Sequence, residues 1–364
     1  MFLVVTRSFP PDIGGMQALM AGLSENLLNH GPVKVFAYHM LNCENFDNKS
    51  SLNIVRVKGL KIFKKYRKAN LVNDFIDKNK VRAIFIDHWK SLELLKNECL
   101  NKSKTFCLLH SKEINHEVGS SLNKRLIKST DKADFIIANS NYTKELAIKV
   151  GINKSKIYVI FPGINKPKII ENIAIEKAEN IYKDNFPKII TVSRFDKRKG
   201  HDKILMVIKN LKTKFPKIKY VCIGSGAEEN NLLKLKEELA LKKEVIFLKN
   251  IDENLKLALI KTSDLFLMPT RVEKKSVEGF GIGFIEAASY GVGSIGGKDG
   301  GASDAISHNK TGLICDGNDL NSIYENVIYF LKNQKFVEFG NAAKKHSENF
   351  YWNKIVKDYL KLIN

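Results

Sequence analysis

Glu278 and Glu286 stand with seven residues between them in the stretch Met268-Pro-Thr-Arg-Val-Glu-Lys-Lys-Ser-Val-Glu278-Gly-Phe-Gly281-Ile-Gly283-Phe-Ile-Glu286-Ala-Ala. The spacing alone carries nothing, because Glu171/Glu179 and Glu229/Glu237 share it. Context separates this pair. An apolar run ends at Met268, a glycine-rich turn follows, and a small-residue helix opens near Gly283. Glu278 then sits in the turn and Glu286 in the first helical turn. A helix N-terminus offers free N–H groups and a positive dipole to a phosphate. A carboxylate beside it can accept hydrogen bonds from ribose hydroxyls.

A second cluster, Ser193-Arg194-Phe-Asp-Lys-Arg-Lys199-Gly200, follows another apolar run. Arg194 and Lys199 at a strand's carboxyl end suit a diphosphate, whose leaving-group charge must be neutralised. Arg198 is read as a bystander. The bland alternative is a solvated basic turn. Gly14-Gly15 precedes a helical pattern and would let the backbone approach an anion, or simply make a turn. Gly224-Ser-Gly226 is a truncated dinucleotide fingerprint, and no full Gly-x-Gly-x-x-Gly follows it. That speaks against a nicotinamide dehydrogenase. No Asp-x-Asp, His-Glu-x-x-His or Cys/His cluster points to a bound metal.

Alternating elements must position these groups. Candidate strands at 2–5, 33–38, 53–57, 83–87, 105–109, 134–138 and 156–160 alternate with helical patterns at 16–29, 63–78, 91–99 and 142–149. Most of the strands are bare apolar runs, as expected of parallel strands covered on both faces. Residues 164–186 break the rhythm and are expected to form a linker. The rhythm restarts with strands at 188–193, 219–223, 245–249 and 265–268 and helices at 201–213, 228–239 and 254–262. The expected fold class is α/β, with Rossmann-like domains at 1–163 and 187–349 facing a crevice. The amphipathic tail at 350–364 is expected to pack back on the first domain.

Composition bounds the function. A chain of 364 residues supports two domains, and 44% apolar with 27% charged residues is ordinary soluble usage. This excludes disordered, collagenous and membrane-spanning classes. The net charge of +21 comes from 60 basic and 39 acidic residues, and 52 of the basic ones are Lys. Dedicated phosphate and nucleic-acid binders favour Arg forks, so much of the excess is compositional. With no RNA-recognition signature, zinc finger or block of like charge, no nucleic-acid partner is expected, and a polyanion binder is the distant alternative. Cys43, Cys99, Cys107, Cys222 and Cys315 are scattered, which predicts a reduced, cytoplasmic setting. The apolar run at 2–5 is cut off by Arg7, Pro10 and Pro11, so no secretory signal is expected.

The chain resembles family 4 of the retaining glycosyltransferases, which have the GT-B fold. The resemblance rests on Phe9-Pro-x-x-x-Gly14-Gly15, Ala138-Asn-Ser140, Val159-Ile-x-Pro162-Gly163, Ser193-Arg194 with Lys199-Gly200, Gly224-x-Gly226, the Glu278 to Glu286 stretch, Gly300-Gly301-Ala302 and Thr311-Gly312-Leu313. Val277-Glu-Gly-Phe-Gly-Ile is similar to the phosphatidylinositol mannosyltransferase branch. The resemblance implies that Arg194 and Lys199 hold a donor diphosphate, Glu278 contacts sugar hydroxyls and Glu286 the ribose. Amides around Gly281 and Ile282 would bind the distal phosphate, with Gly14 and Gly15 closing over it. Gly224 would line the donor site, and the base would lie near Lys249 and Ile251. His110 matches the family's crevice histidine near the sugar, although a lone histidine at a strand end is more often structural. Gly293, Ser303 and Asp304 depart from the family's usual Pro, Pro and Glu, which weakens any subfamily assignment.

The implied reaction is metal-free transfer of a hexose, with retention by front-face attack, from GDP-mannose or a UDP-hexose to a lipid-linked or glycan acceptor. A nucleotide-sugar epimerase or hydrolase would share the donor site and is the alternative. The basic stretch Lys61-Ile-Phe-Lys64-Lys65-Tyr-Arg67-Lys68-Ala-Asn-Leu, and a second near Lys124, Arg125 and Lys128, suit an anionic membrane surface. The expected site is then the inner face of the plasma membrane. Alternatively Phe63, Tyr66 and Leu71 face the core and the lysines are a solvated face.

Overall fold

The computed structural model describes residues 1–363, apart from the side chain of Lys61. The chain divides into two compact units, Met1–Asn165 with the segment from Phe350 onward, and Lys166–Asn349. Asn364, the end of the expected tail segment, lies outside the described residues.

The first unit holds seven parallel strands: β1 (Phe2–Val5), β2 (Val33–Tyr38), β3 (Asn53–Val57), β4 (Ala83–Ile86), β5 (Lys104–Leu109), β6 (Phe135–Ala138) and β7 (Ile157–Val159). Their order is β3-β2-β1-β4-β5-β6-β7, with Phe2 paired to Val33 on one side and Ala83 on the other. The order reverses between β1 and β4, which opens a crevice at their carboxyl ends. Helices Gly15–Leu27 and Trp352–Lys361 share one core layer, and the indole of Trp352 rests against Gly22 and Gly163. Helices Lys61–Lys78, Ser121–Thr130 and Asn141–Lys149 cover the other face.

Two expectations for this unit change. The helix expected at 91–99 is two single turns, Trp89–Leu92 and Asn97–Leu100. Lys132 Nζ donates to the carbonyls of Glu93 and Leu95, both at 2.9 Å, taking acceptors that a continuous helix would use. In helix Lys61–Lys78 the core face is Ala69, Val72 and Ile76, whereas Ile62, Phe63 and Tyr66 are 71%, 65% and 49% exposed. Lys68, expected on the basic surface, is buried instead. Its Nζ donates to the Thr6 carbonyl at 2.8 Å and to Ser91 Oγ at 3.2 Å, and sits 4.4 Å from the centre of the Tyr38 ring. Burial, partly offset by Asp87, brings the pKa of Lys68 down to about 8.

The second unit holds six parallel strands: β8 (Lys188–Val192), β9 (Lys219–Ile223), β10 (Val245–Leu248), β11 (Leu265–Met268), β12 (Ser294–Gly297) and β13 (Gly312–Cys315). The order β10-β9-β8-β11-β12-β13 reverses between β8 and β11. Of residues 164–186, expected as a linker, 166–186 belong to this unit. The reason is burial: helix Asn172–Tyr182 sinks Ala174, Ala178 and Tyr182, and the Tyr182 hydroxyl donates to the Leu259 carbonyl at 3.2 Å. Among the described residues no helix is long and apolar enough to cross a membrane.

Each unit hides a neutral histidine, which predicts acid lability. His88 is pulled down to about 2 by burial and then by Arg7, and His201 to about 4 by burial. Unfolded histidine titrates near 6.5, so below that pH the unfolded chain binds more protons than the folded one. Stability therefore falls as pH drops from about 6.5 toward each folded value, by about 1.4 kcal/mol per pH unit per histidine. Thermal unfolding followed from pH 7 to pH 4.5 should show a steadily falling Tm in both units. His201→Gln should flatten the slope of the second unit alone.

Candidate functional site

The carboxyl ends of β8 and β11 flank the sheet reversal in the second unit, where open α/β sheets bind ligands. The loop after β8 carries Arg194 to Lys199, and the loop after β11 carries Glu278. A 3-10 turn at Lys197–Lys199 aims two adjacent cations inward. Lys199 Nζ donates to Glu278 Oε2, and Arg198 Nη1 donates to the same oxygen at 2.6 Å. The three side chains are only 11%, 13% and 12% exposed. Burial alone would raise Glu278, but Lys199 and Arg198 overcome it and hold the carboxyl at about 2. Burial lowers the Lys199 pKa against the pull of Glu278. The cluster carries two cations on one buried anion, and Asp196, 3.9 Å from Arg198 Nε, is shared with Arg194, so the group of three cations and two anions keeps one surplus positive charge.

Arg194 is not part of this cluster. Its guanidinium is 66% exposed and pairs with Asp196 at 2.8 Å, whereas Arg198, read as a bystander, joins Lys199 on Glu278. Arg271, which the sequence reading did not single out, locks the turn. It donates through both Nη atoms to Asp202 at 2.9 Å, and its backbone N–H donates to the Arg198 carbonyl at 2.9 Å. The signal available for Arg198 was its place in a short turn beside Lys199.

Gly281 adopts φ 91°, a left-handed conformation that disfavours a side chain, and begins helix Ile282–Ser289 without a side-chain cap. A Cβ there would strike the Phe284 ring at 2.5 Å and would lie 3.7 Å from Glu278 Cγ. The uncapped N–H groups around Gly281 and Ile282 thus begin beside the Glu278 cluster. Glu286 lies one turn further along this helix, half-exposed, with no hydrogen-bond partner for its carboxylate among the described residues. Burial raises its pKa, and Lys256 opposes that rise.

Gly224 has a reason that is internal to the fold. Ser193 N–H donates to the Ile223 carbonyl at 3.0 Å, and a Cβ on Gly224 would sit 2.0 Å from the Ser193 carbonyl oxygen. The glycine lets the loops after β8 and β9 run against each other. Lys249 is 61% exposed at the end of β10 and pairs with Glu229 at 2.7 Å, and Ile251 beside it is half-exposed.

The remaining candidates lie in the first unit. Gly14 and Gly15 open helix Gly15–Leu27, again without a side-chain cap. His110 follows β5, and its Nε2 lies 3.1 Å from the Asp87 carbonyl while its N–H donates to Glu113 Oε1 at 2.6 Å. A carbonyl only accepts, so the ring Nε2 is the donor of this contact. Asp87 Oδ2 in turn accepts from Thr6 Oγ1 and from the Arg7 N–H, both at 2.7 Å. Among the described residues no three His, Cys, Asp or Glu side chains are grouped as a metal site requires.

Comparison with known proteins follows the same division. Residues 13–166 match the family described as "Glycosyltransferase Family 4", and residues 172–348 match "Glycosyl transferases group 1". The chain is 24% identical over 363 residues to a GDP-mannose-dependent alpha-(1-6)-phosphatidylinositol monomannoside mannosyltransferase of Mycolicibacterium smegmatis, covering 96% of this chain and 94% of that one. It is 27% identical over 336 residues to an N-acetylgalactosamine-N,N'-diacetylbacillosaminyl-diphospho-undecaprenol 4-alpha-N-acetylgalactosaminyltransferase of Campylobacter jejuni, covering 89% and 86%. Among solved structures, HepE of Anabaena in complex with UDP superposes with a TM-score of 0.82 at 16% identity, covering 100% of this chain and 99% of that one.

Proposed function

We propose, from the premise that this chain belongs to the family 4 glycosyltransferases of GT-B fold and is a hexosyltransferase, that it moves a hexose with retention from a nucleotide-diphosphate sugar to a lipid-linked or glycan acceptor. The carrying observation is the surplus buried cation at the sheet reversal, beside an uncapped helix start. A diphosphate brings the missing negative charge. Lys199 turns from Glu278 to the leaving phosphate, and the amides at Gly281 and Ile282 take the distal one. Glu278, still held by Arg198, accepts hydrogen bonds from the donor sugar. Glu286, an acceptor without a partner, takes the ribose hydroxyls. The side chains and the helix dipole do the electrostatic work, so no metal is needed. The mannosyltransferase likeness favours GDP-mannose over a UDP-hexose.

The test is donor hydrolysis and thermal shift across nucleotide sugars, in excess chelator, with the product anomer read by NMR. One GDP- or UDP-hexose should raise Tm and yield an α-linked product without added metal. An isomerised sugar formed without acceptor would favour the epimerase instead. Tight DNA binding with no response to any nucleotide sugar would favour the polyanion binder. Full loss of activity in chelator, restored by magnesium or manganese, would overturn the metal-free mechanism.

A lipid-borne acceptor draws support from the first unit. Ile13, Leu41, Leu60, Ile62, Phe63, Val118 and Leu122 are all exposed, and all lie in loops or first helical turns after β1, β2, β3 or β5. The carboxyl edge of the sheet is thus rimmed with apolar tips, with Lys64, Lys65, Lys124 and Arg125 on the same edge. Arg125 is shared with Glu93 at 2.8 Å, which trims its charge. Apolar tips among cations suit an anionic headgroup layer at the cytoplasmic face. Vesicle co-sedimentation checks this. Binding should appear with anionic vesicles and fade with salt. Ile62→Ser with Phe63→Ser and Lys65→Glu should lower it about tenfold while activity on a soluble acceptor persists. Equal binding to neutral vesicles would remove the anionic-headgroup claim, and no binding to anionic ones would remove the membrane claim.

A further inference from the structure

A buried hydrogen-bond relay rises through the second unit and ends at the mouth of the site. Thr191 and Tyr220 are fully buried and His201 is 2% exposed, whereas Ser193 is half-exposed at the end of β8. The hydroxyl contacts of the relay set its proton directions by donor and acceptor chemistry. The Leu267 carbonyl can only accept, so Thr191 gives it its single proton. Thr191 Oγ1 then accepts from the Tyr220 hydroxyl at 3.0 Å. Tyr220 has no second proton, so its oxygen faces His201 Nδ1, 3.2 Å away, as an acceptor. Facing that oxygen, Nδ1 carries the imidazole proton, with the Cys222 thiol, which can donate or accept, as a second neighbour at 3.3 Å. The lone pair of the neutral ring is left on Nε2, 2.9 Å from Ser193 Oγ, and the longer 3.4 Å contact from Nε2 to the Arg194 carbonyl is the one the opposite tautomer would use. Burial keeps the ring neutral at physiological pH.

We propose that His201 is a positioning residue that draws the Ser193 proton inward and so presets the Ser193 hydroxyl as a hydrogen-bond acceptor for a hydroxyl of the nucleotide-sugar donor. The relay fixes a polarity that a free serine would not have. A serine meeting a phosphate would turn its proton outward. This one presents lone pairs, and so matches a hydroxyl of the sugar or the ribose. A longer contact from Ser193 Oγ to the Arg194 carbonyl, 3.3 Å, competes for the same proton and is the geometry the relay suppresses. The proposal rests on the second unit being the donor site.

The experiment has two independent readouts. In protein with 15N-labelled histidine at pH 7, the His201 ring, identified by its loss in His201→Gln, should carry its proton on Nδ1. Tyr220→Phe removes the acceptor that fixes this tautomer, so the proton should move to Nε2. In kinetics, Ser193→Ala and Tyr220→Phe should each raise the donor KM about fivefold, the worth of one ordinary hydrogen bond, with kcat and acceptor KM nearly unchanged. The double variant should add nothing further. If nucleoside diphosphate alone weakens equally, the ribose is the partner, and if only the sugar-bearing donor weakens, the hexose is. An Nε2 proton in the wild type, or an unchanged donor KM in Ser193→Ala, would overturn the proposal. Should Tyr220→Phe fail to fold, the wild-type tautomer and Ser193→Ala still decide it. A wild type that binds no nucleotide sugar would defeat the donor-site reading and leave the tautomer question to the NMR.

Discussion

Lys199→Ala should lower kcat/KM by roughly 30- to 1000-fold, the 2–4 kcal/mol that losing one preorganised charge donor typically costs. The reasoning is a charge count. With Lys199 present, Glu278 faces two buried cations, and one positive charge is left for the leaving phosphate. Without it, Glu278 and Arg198 close as a neutral pair at 2.6 Å and nothing remains for the diphosphate. The same count predicts a loss of similar size for Arg198→Ala. Arg194→Ala should cost less, because Asp196 already neutralises that exposed side chain. The family likeness gives Arg194 the larger role, so the two arginine variants are a direct comparison of likeness against geometry. Steady-state kinetics with donor varied, on variants shown folded by their thermal transitions, decides it. An Arg194→Ala loss exceeding that of Arg198→Ala would mean that Arg194 leaves Asp196 when donor binds. Near-normal turnover in both Lys199→Ala and Arg198→Ala would end the clamp assignment.

The strands that position this clamp were legible because they are uninterrupted apolar runs. Leu265-Phe-Leu-Met268 and Phe2-Leu-Val-Val5 need no partner in view to be recognised. β12, Ser294-Ile-Gly-Gly297, was not, since it carries one large apolar side chain and owes its strand state to β11 and β13 on either side. Helix Ser121–Thr130 was read only as a basic helical stretch near Lys124, Arg125 and Lys128, without bounds, because only Leu126 among its large apolar residues is fully buried, while Ser120 caps it. Within the site, loop position was readable and side-chain direction was not. Arg194 and Arg198 are chemically equivalent in a sequence, and only the 3-10 turn at Lys197–Lys199 turns the second one inward. Lys68 is the sharper case. Its neighbours Lys64, Lys65 and Arg67 suggest a solvated face, yet the groups that bury it, Thr6, Tyr38 and Ser91, come from elsewhere in the chain. Long-range polar partners leave no periodic trace.

Glu278→Gln is expected to separate binding from turnover more sharply than any other substitution here. Removing one charge from the cluster leaves Arg198 and Lys199 buried beside a neutral amide, so the surplus rises from one positive charge to two. Breaking a buried pair in this way typically costs about 3–5 kcal/mol of stability. A nucleoside diphosphate restores the missing negative charge, so it should bind the variant more tightly than the wild type and raise its Tm by more at equal concentration. Turnover should nevertheless fall at least roughly 100-fold, because the amide no longer offers a full anion to orient the sugar as the bond breaks. Glu286→Gln should do the opposite: its carboxylate has no protein partner to release, so donor KM rises about fivefold with kcat little changed. Glu171→Gln, from a pair with the same spacing, is the control, since among the described residues the exposed Glu171 carboxylate accepts only from half-exposed Asn254 Nδ2, at 3.1 Å. Glu229 is a poorer control than its spacing suggests, because it holds Lys249 at 2.7 Å near the expected base site. Calorimetric titration with nucleoside diphosphate, alongside single-turnover rates, reads both halves of the prediction. Weaker diphosphate binding by Glu278→Gln would show that its carboxylate helps to hold the donor rather than standing in for it when the site is empty.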